Sequence, residues 1–111
     1  MMLVELLYWR GCPSYPAALA ELREAMAEVG VDPGSLEQIE VHDEREAAQE
    51  RFPGSPTIRV DGRDIADAGE PALSCRIYRR RDGRISPLPD PDDLRDALRR
   101  AVASRAGARA A

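Results

Sequence analysis

The sequence predicts a single α/β domain, a central mixed β-sheet with helices on both faces, in the order β-α-β-α-β-β-α. Three observations carry that prediction. An apolar run of strand length near the start gives way to a segment with helical period. A later alternating run is folded back by Asp61-Gly62, and a segment led by aspartate and proline closes the chain as a helix. The 111 residues hold one core, since a second domain needs roughly 100 more. Residues 1–104 are read as that domain and 105–111 as a fraying tail rich in Ala and Gly.

The elements follow in chain order. Leu3 to Tyr8 is an almost continuous apolar run, the pattern of a strand buried on both faces, and Trp9-Arg10-Gly11-Cys12-Pro13 ends it in a tight turn. From Ser14 the period becomes helical, with Leu19, Leu22, Met26 and Val29 on one stripe and Gly30 placed as a left-handed cap. After Val31-Asp32-Pro33-Gly34, a short strand is expected around Gln38–His42, with Ile39 and Val41 pointing the same way. Asp43 followed by Glu46 has the spacing of a capping box and starts a short helix ending near Phe52-Pro53. Thr57 to Ile65 reads as a hairpin, because Asp61-Gly62 accepts the positive φ angles of a type I′ turn. Ala66 to Ser74 is a polar loop, Cys75-Arg76-Ile77-Tyr78 is strand-like, and Asp82-Gly83 marks another turn. The last helix has Asp90 as cap, Pro91 in its first position, and Asp92 and Asp93 at the positive end of its dipole. Leu94, Leu98, Ala101 and Val102 form its apolar stripe.

Composition narrows the function classes. Hydrophobic residues make up 43%, but 17 of them are alanine, which leaves enough larger side chains for a two- or three-layer core and no more. All 16 basic residues are arginine, so Schiff-base chemistry on lysine is excluded. With 20 acids the net charge is −4, which argues against nucleic acid as the main partner. No apolar stretch approaches the roughly 18 residues that cross a bilayer. The segment MMLVELLYWRGC has an acid in its middle and no basic leader, so a cytoplasmic protein without a membrane partner is expected. Two cysteines, Cys12 and Cys75, are too few for a secreted disulfide framework. In an intracellular chain such a pair serves redox or metal chemistry, or simply fills a core.

Cys12 is the residue with the clearest chemical setting. It follows the first strand and precedes the first helix, where unpaired N–H groups and the positive dipole end favour thiolate over thiol. Arg10 adds a positive charge nearby if its side chain turns that way, and Ser14 and Tyr15 stand within hydrogen-bonding range in sequence. His42, the one histidine, reads as a surface or capping residue. Arg79, Arg80, Arg81 and Arg84 read as a solvated hairpin tip. One His and two Cys fall short of the four ligands of a structural zinc site, and no organic cofactor is expected.

Two motifs, Trp9-Arg10-Gly11-Cys12-Pro13-Ser14-Tyr15-Pro16 and Gly54-Ser55-Pro56-Thr57, in this element order, resemble the thioredoxin-like superfamily over nearly the whole chain. The hairpin from Thr57 to Ile65 is similar to the glutaredoxin version of that fold. The resemblance implies a thioredoxin-like α/β domain with Cys12 as nucleophile and Pro56 as a cis-proline beside it. Ser55, Pro56 and Thr57 would then dock the backbone of an extended disulfide substrate, and Trp9 would line the groove, although a core position suits Trp9 equally. The implied partners are protein or low-molecular-weight thiols and disulfides.

One departure from the family stands out. Where dithiol members have Cys-x-x-Cys, this chain has Tyr15, so the usual disulfide cannot close within the helix turn. Either Cys12 works alone or Cys75 resolves. On the family's hairpin, the loop starting at Ala66 begins at the active-site end, which is compatible with Cys75 near Cys12. The competing reading makes Cys75 a strand residue facing the core with Ile77. A different function also fits: the two thiols as a soft-metal site for Hg(II) or Cu(I), or an interaction module that has lost its chemistry.

Overall fold

The apolar run becomes β1 (Val4–Tyr8), the inner strand about which the other elements are arranged. Val4 and Leu6 face one layer and Leu7 the other, and all three are fully buried, as a strand covered on both sides requires. The computed structural model describes residues 2–66 and 68–110, with the backbone alone over 106–110. After β1 come α1 (Tyr15–Val29), a 3-10 turn (Pro33–Ser35), β2 (Leu36–Glu40), α2 (Glu44–Glu50), β3 (Thr57–Val60) and β4 (Arg63–Asp64). A small ribbon of β5 (Tyr78–Arg79) and β6 (Ile85–Ser86) precedes α3 (Pro91–Ala110). The sheet runs β2-β1-β3-β4, with β1 parallel to β2 and antiparallel to β3, and β4 antiparallel to β3. The chain therefore forms the expected α/β class with a mixed sheet, and adds the separate β5–β6 ribbon.

Two clusters make the layers. Ala18, Leu22, Ala25 and Met26 of α1 and Leu94, Ala97 and Leu98 of α3 cover Val4, Leu6, Ile58 and Val60 on one face. On the other, Ala47 of α2 and Phe52 pack with Leu7 and Val41. Val102, expected in the α3 stripe, is 40% exposed at its margin. The 105–110 stretch, expected to fray, continues the backbone of α3, and Ala111 lies outside the described residues.

Local chemistry sets the element ends. Gly30 closes α1 at φ 84°, its N–H reaching the Met26 carbonyl at 2.9 Å. The Asp43 carboxylate accepts from the Glu46 N–H at 2.8 Å, and Glu46 in turn accepts from the His42 N–H at 2.9 Å. The Arg59 guanidinium donates to the carbonyls of Glu50 and Arg51, a cation at the negative end of α2. Asp61 (φ 50°) and Gly62 (φ 83°) supply the two positive angles of the predicted type I′ turn. The Asp82-Gly83 turn differs: only Gly83 is left-handed, and Arg80 pairs with Arg84 across a three-residue loop. β2 begins two residues earlier than expected, yet Val41 still donates to the Tyr8 carbonyl at 2.8 Å and shares a cluster with Ile39. The Asp90 carboxylate caps α3 by accepting from the Asp92 N–H at 2.9 Å.

Candidate functional site: two cysteines at the Gly54–Thr57 loop

β1 delivers the chain into the turn that holds Cys12, where the Cys12 N–H donates to the Trp9 carbonyl at 3.0 Å. Gly11 is needed in this turn, because a Cβ there would lie 2.4 Å from the Trp9 ring. Cys12 is 1% exposed, and its thiol donates to the Ser55 carbonyl at 3.4 Å. Ser55 belongs to the second motif, in which the Ser55–Pro56 bond is cis. The two motifs singled out in the sequence thus meet at one contact.

A second contact brings in Cys75. Residues 72–76 run alongside the 52–55 segment: Ala72 N–H donates to Phe52 (2.9 Å), Ser55 N–H to Ser74 (2.8 Å) and Arg76 N–H to Ser55 (2.8 Å). Ser55 and Cys75 form a parallel bridge, which brings Cys75 close enough for each cysteine to act on the other's pKa. Both cysteines are free thiols, one buried and one exposed. Of the two sequence readings of Cys75, the core-facing one is overturned. Arg76 (7% exposed) and Tyr78 point inward, while Cys75 and Ile77 (70% exposed) point out.

An arginine can take the inward position because its charge is matched. Its guanidinium donates to Asp64 at 2.8 Å and to the Thr57 hydroxyl at 3.2 Å, and lies over the Tyr78 ring at 4.5 Å. The Tyr78 hydroxyl donates to the Pro56 carbonyl, and burial pushes the phenol well above its ordinary pKa. Gly54, at φ 132°, completes the fit: a Cβ there would come within 3.0 Å of the Arg76 Cβ. Asp64, Arg76 and Tyr78 were not among the sequence candidates. The alternation Arg76-Ile77-Tyr78 had the right period, but hydropathy assigned its faces the wrong way round.

The electrostatics separate the two thiols. Burial raises the Cys12 pKa, but hydrogen bonds from Cys75, from the Ser14 backbone and hydroxyl, and from Ser55 outweigh it and hold it below its ordinary value. The Cys75 pKa is raised, first by its hydrogen bond to Cys12, then by burial and by charge on Cys12. Of the two thiols, Cys12 is the one that gives up its proton more readily.

The remaining candidates are placed as follows. Ser14 acts on the thiol, whereas Tyr15 stacks on Tyr8 with ring centroids 4.1 Å apart. Trp9 is half-buried against the Leu7–Phe52 cluster, and its N–H donates to the Ser55 hydroxyl at 3.0 Å. Arg10 turns away from the thiol to pair with Glu40 at 3.7 Å. Ser55, Pro56 and Thr57 are buried. The Ser55 N–H and carbonyl are both taken by residues 74–76, and the Thr57 hydroxyl donates to the Gly54 carbonyl at 2.6 Å. His42 is exposed between Glu40 and Glu46. Of the arginine cluster, Arg81 is tied to Asp93 and Asp96 of α3. A groove of about 440 Å³ lies at the β3–β4 turn against α3, away from the cysteines. Among the described residues no group of three or more His, Cys, Asp or Glu is placed to hold a metal, and no helix is long and apolar enough to cross a membrane.

Comparison of the chain with family models, with curated proteins and with solved structures finds no match.

Proposed function

We propose that this protein is a thiol–disulfide oxidoreductase on a thioredoxin-like fold, cycling between a Cys12/Cys75 dithiol and an intramolecular disulfide. The observation that carries the reading is the convergence of both cysteines on Ser55, one by its thiol and the other by strand pairing. The β1-α1-β2 parallel unit, the β3–β4 hairpin and the Gly54–Thr57 loop against Cys12 support the fold assignment. Cys75 supplies the second thiol that Cys-x-x-Cys proteins carry within the helix turn. Cys12 supplies the thiolate, because hydrogen bonds lower its pKa. The partners are protein or low-molecular-weight thiols and disulfides in a reducing compartment such as the cytoplasm. Reduction of a mixed disulfide between glutathione and a small thiol tests the activity: wild type should turn over, and Cys12→Ser and Cys75→Ser should both lose turnover. No turnover by wild type would refute it.

The same adjacency favours a second reading, capture of a two-coordinate soft cation such as Cu(I) or Hg(II) by two thiolates. Calorimetry on the reduced protein decides it: one ion bound per chain, abolished in Cys75→Ser, supports it. Equal binding by Cys75→Ser rules it out.

A further inference from the structure

We infer that Cys75, and not Cys12, is the sulfur through which this protein exchanges with outside thiols and disulfides, Cys12 being the buried partner that leaves or closes the bond. The inference rests on the Cys12/Cys75 redox pair proposed above and assigns the order of events within it.

Displacement at sulfur is in line: the incoming thiolate approaches the attacked sulfur from the side opposite the departing one. The attacked sulfur must therefore be open to solvent. Cys12 is 1% exposed, enclosed in the Trp9–Ser14 turn with its thiol on the Ser55 carbonyl. Cys75 is exposed, on the outward side of a strap whose inward residues are Leu73 and Arg76. An approaching partner meets Cys75 first.

The chemistry balances in both directions. With the protein oxidised, an external thiolate attacks the Cys75 sulfur, the Cys12–Cys75 bond breaks, and its electron pair leaves on Cys12 as a thiolate. A mixed disulfide between Cys75 and the partner remains. A second external thiol then attacks the partner's sulfur, which forms the external disulfide and releases Cys75, and Cys75 takes up a proton. Two external thiols are oxidised and the protein disulfide is reduced. In reverse, Cys75 attacks an external disulfide as its thiolate, its proton passing to the first external thiol released, and the Cys12 thiolate then attacks Cys75 and expels the second external group as a thiolate.

The site suits Cys12 to the leaving role. Ser14 and Ser55 provide hydrogen bonds to a thiolate there, and a leaving sulfur held in that form departs faster. The structure also bears on the partner. Because Ser74 and Arg76 already occupy the N–H and carbonyl of Ser55, an extended peptide cannot pair with that backbone edge while the strap is docked. The partner needs only an accessible thiol or disulfide, which admits low-molecular-weight compounds.

The test uses the full chain with oxidised glutathione as probe and intact mass as readout. Native Cys12→Ser should form a mixed disulfide at Cys75 at least about tenfold faster than native Cys75→Ser forms one at Cys12, with the difference vanishing in denaturant. Equal or faster reaction of native Cys75→Ser would overturn the assignment. In case either serine disturbs the fold, the same order is read in reduced wild type by a substoichiometric iodoacetamide pulse and peptide mapping. Label on Cys75 first supports the assignment, and label on Cys12 first contradicts it. Under the same oxidant, wild type should close the Cys12–Cys75 disulfide. Its failure to do so would sink the redox pair itself, whereas closure together with faster Cys12 labelling would sink only the order proposed here.

Discussion

Ser55 is the residue on which the site depends, because each of its polar groups is used. Its hydroxyl accepts from Trp9, its carbonyl from the Cys12 thiol and the Arg76 N–H, and its own N–H donates to Ser74. Ser55→Ala leaves the Trp9 N–H without that partner in a half-buried setting, a loss of about 1–3 kcal/mol in urea denaturation. The same change removes a hydrogen bond that favours the Cys12 thiolate, so the thiolate absorbance of Cys12 should titrate at higher pH than in wild type. Cys75→Ala should raise it further, since Cys75 is the foremost of the lowering partners. At the opposite corner, Glu46 and then Glu40 and Asp43 hold the His42 pKa above its ordinary value. A raised folded-state pKa stabilises the fold below the unfolded value, about 6.5, and that contribution fades as pH rises through the folded one. An NMR titration of the His42 ring should therefore give a midpoint above 6.5 in wild type, moving down in Glu46→Gln. An unchanged midpoint would remove the pairing from the account. The Cys12 setting was legible in the sequence because helix-start chemistry is local. The part played by Ser55 was not, since its partners come from residues 9, 12, 74 and 76.

Among the elements, the strap of residues 72–78 sets the geometry between the cysteines. It is held by three backbone hydrogen bonds to residues 52–55 and by one buried ion pair, Arg76 with Asp64. Arg76→Ala strands the Asp64 carboxylate in a largely buried position and should cost about 3–5 kcal/mol. Hydrogen exchange at the amides of Ser55 and Arg76 should quicken by more than the global loss accounts for, because the strap opens first. Gly54→Ala attacks the same docking from the other side, through a φ of 132° and the Arg76 Cβ, at about 1–3 kcal/mol. Uniform quickening over all amides in Arg76→Ala would mean that the strap is not a separate unit. The sequence made α1, α2, the β3–β4 hairpin and the start of α3 readable, because periodicity, Gly30, Asp43, Asp61-Gly62 and Asp90-Pro91 are local signals. It misassigned the faces of the strap because the choice between Arg76 and Ile77 rests on Asp64, which only the folded chain brings within 2.8 Å.

For the molecule as a whole, two unequal layers clamp the sheet. α1 and α3 share the larger cluster, and short α2 covers the smaller one. Leu98 is fully buried in the larger cluster, so Leu98→Ala should cost about 2–5 kcal/mol while leaving Cys12 titration unchanged. A shifted Cys12 titration there would show that the site is coupled to the far layer. The class of fold was legible from the order of elements alone. The adjacency of Cys12 and Cys75 was legible only as an open alternative, because it depends on a loop folding back across the end of the sheet. That pairing is the central claim, and a redox titration resolved by peptide mapping tests it most directly. Equilibrated against reduced and oxidised glutathione, wild type should show one two-electron transition, with a Cys12–Cys75 linked peptide as its oxidised product. Independent glutathionylation of the two cysteines, with no linked peptide at any potential, would contradict the account.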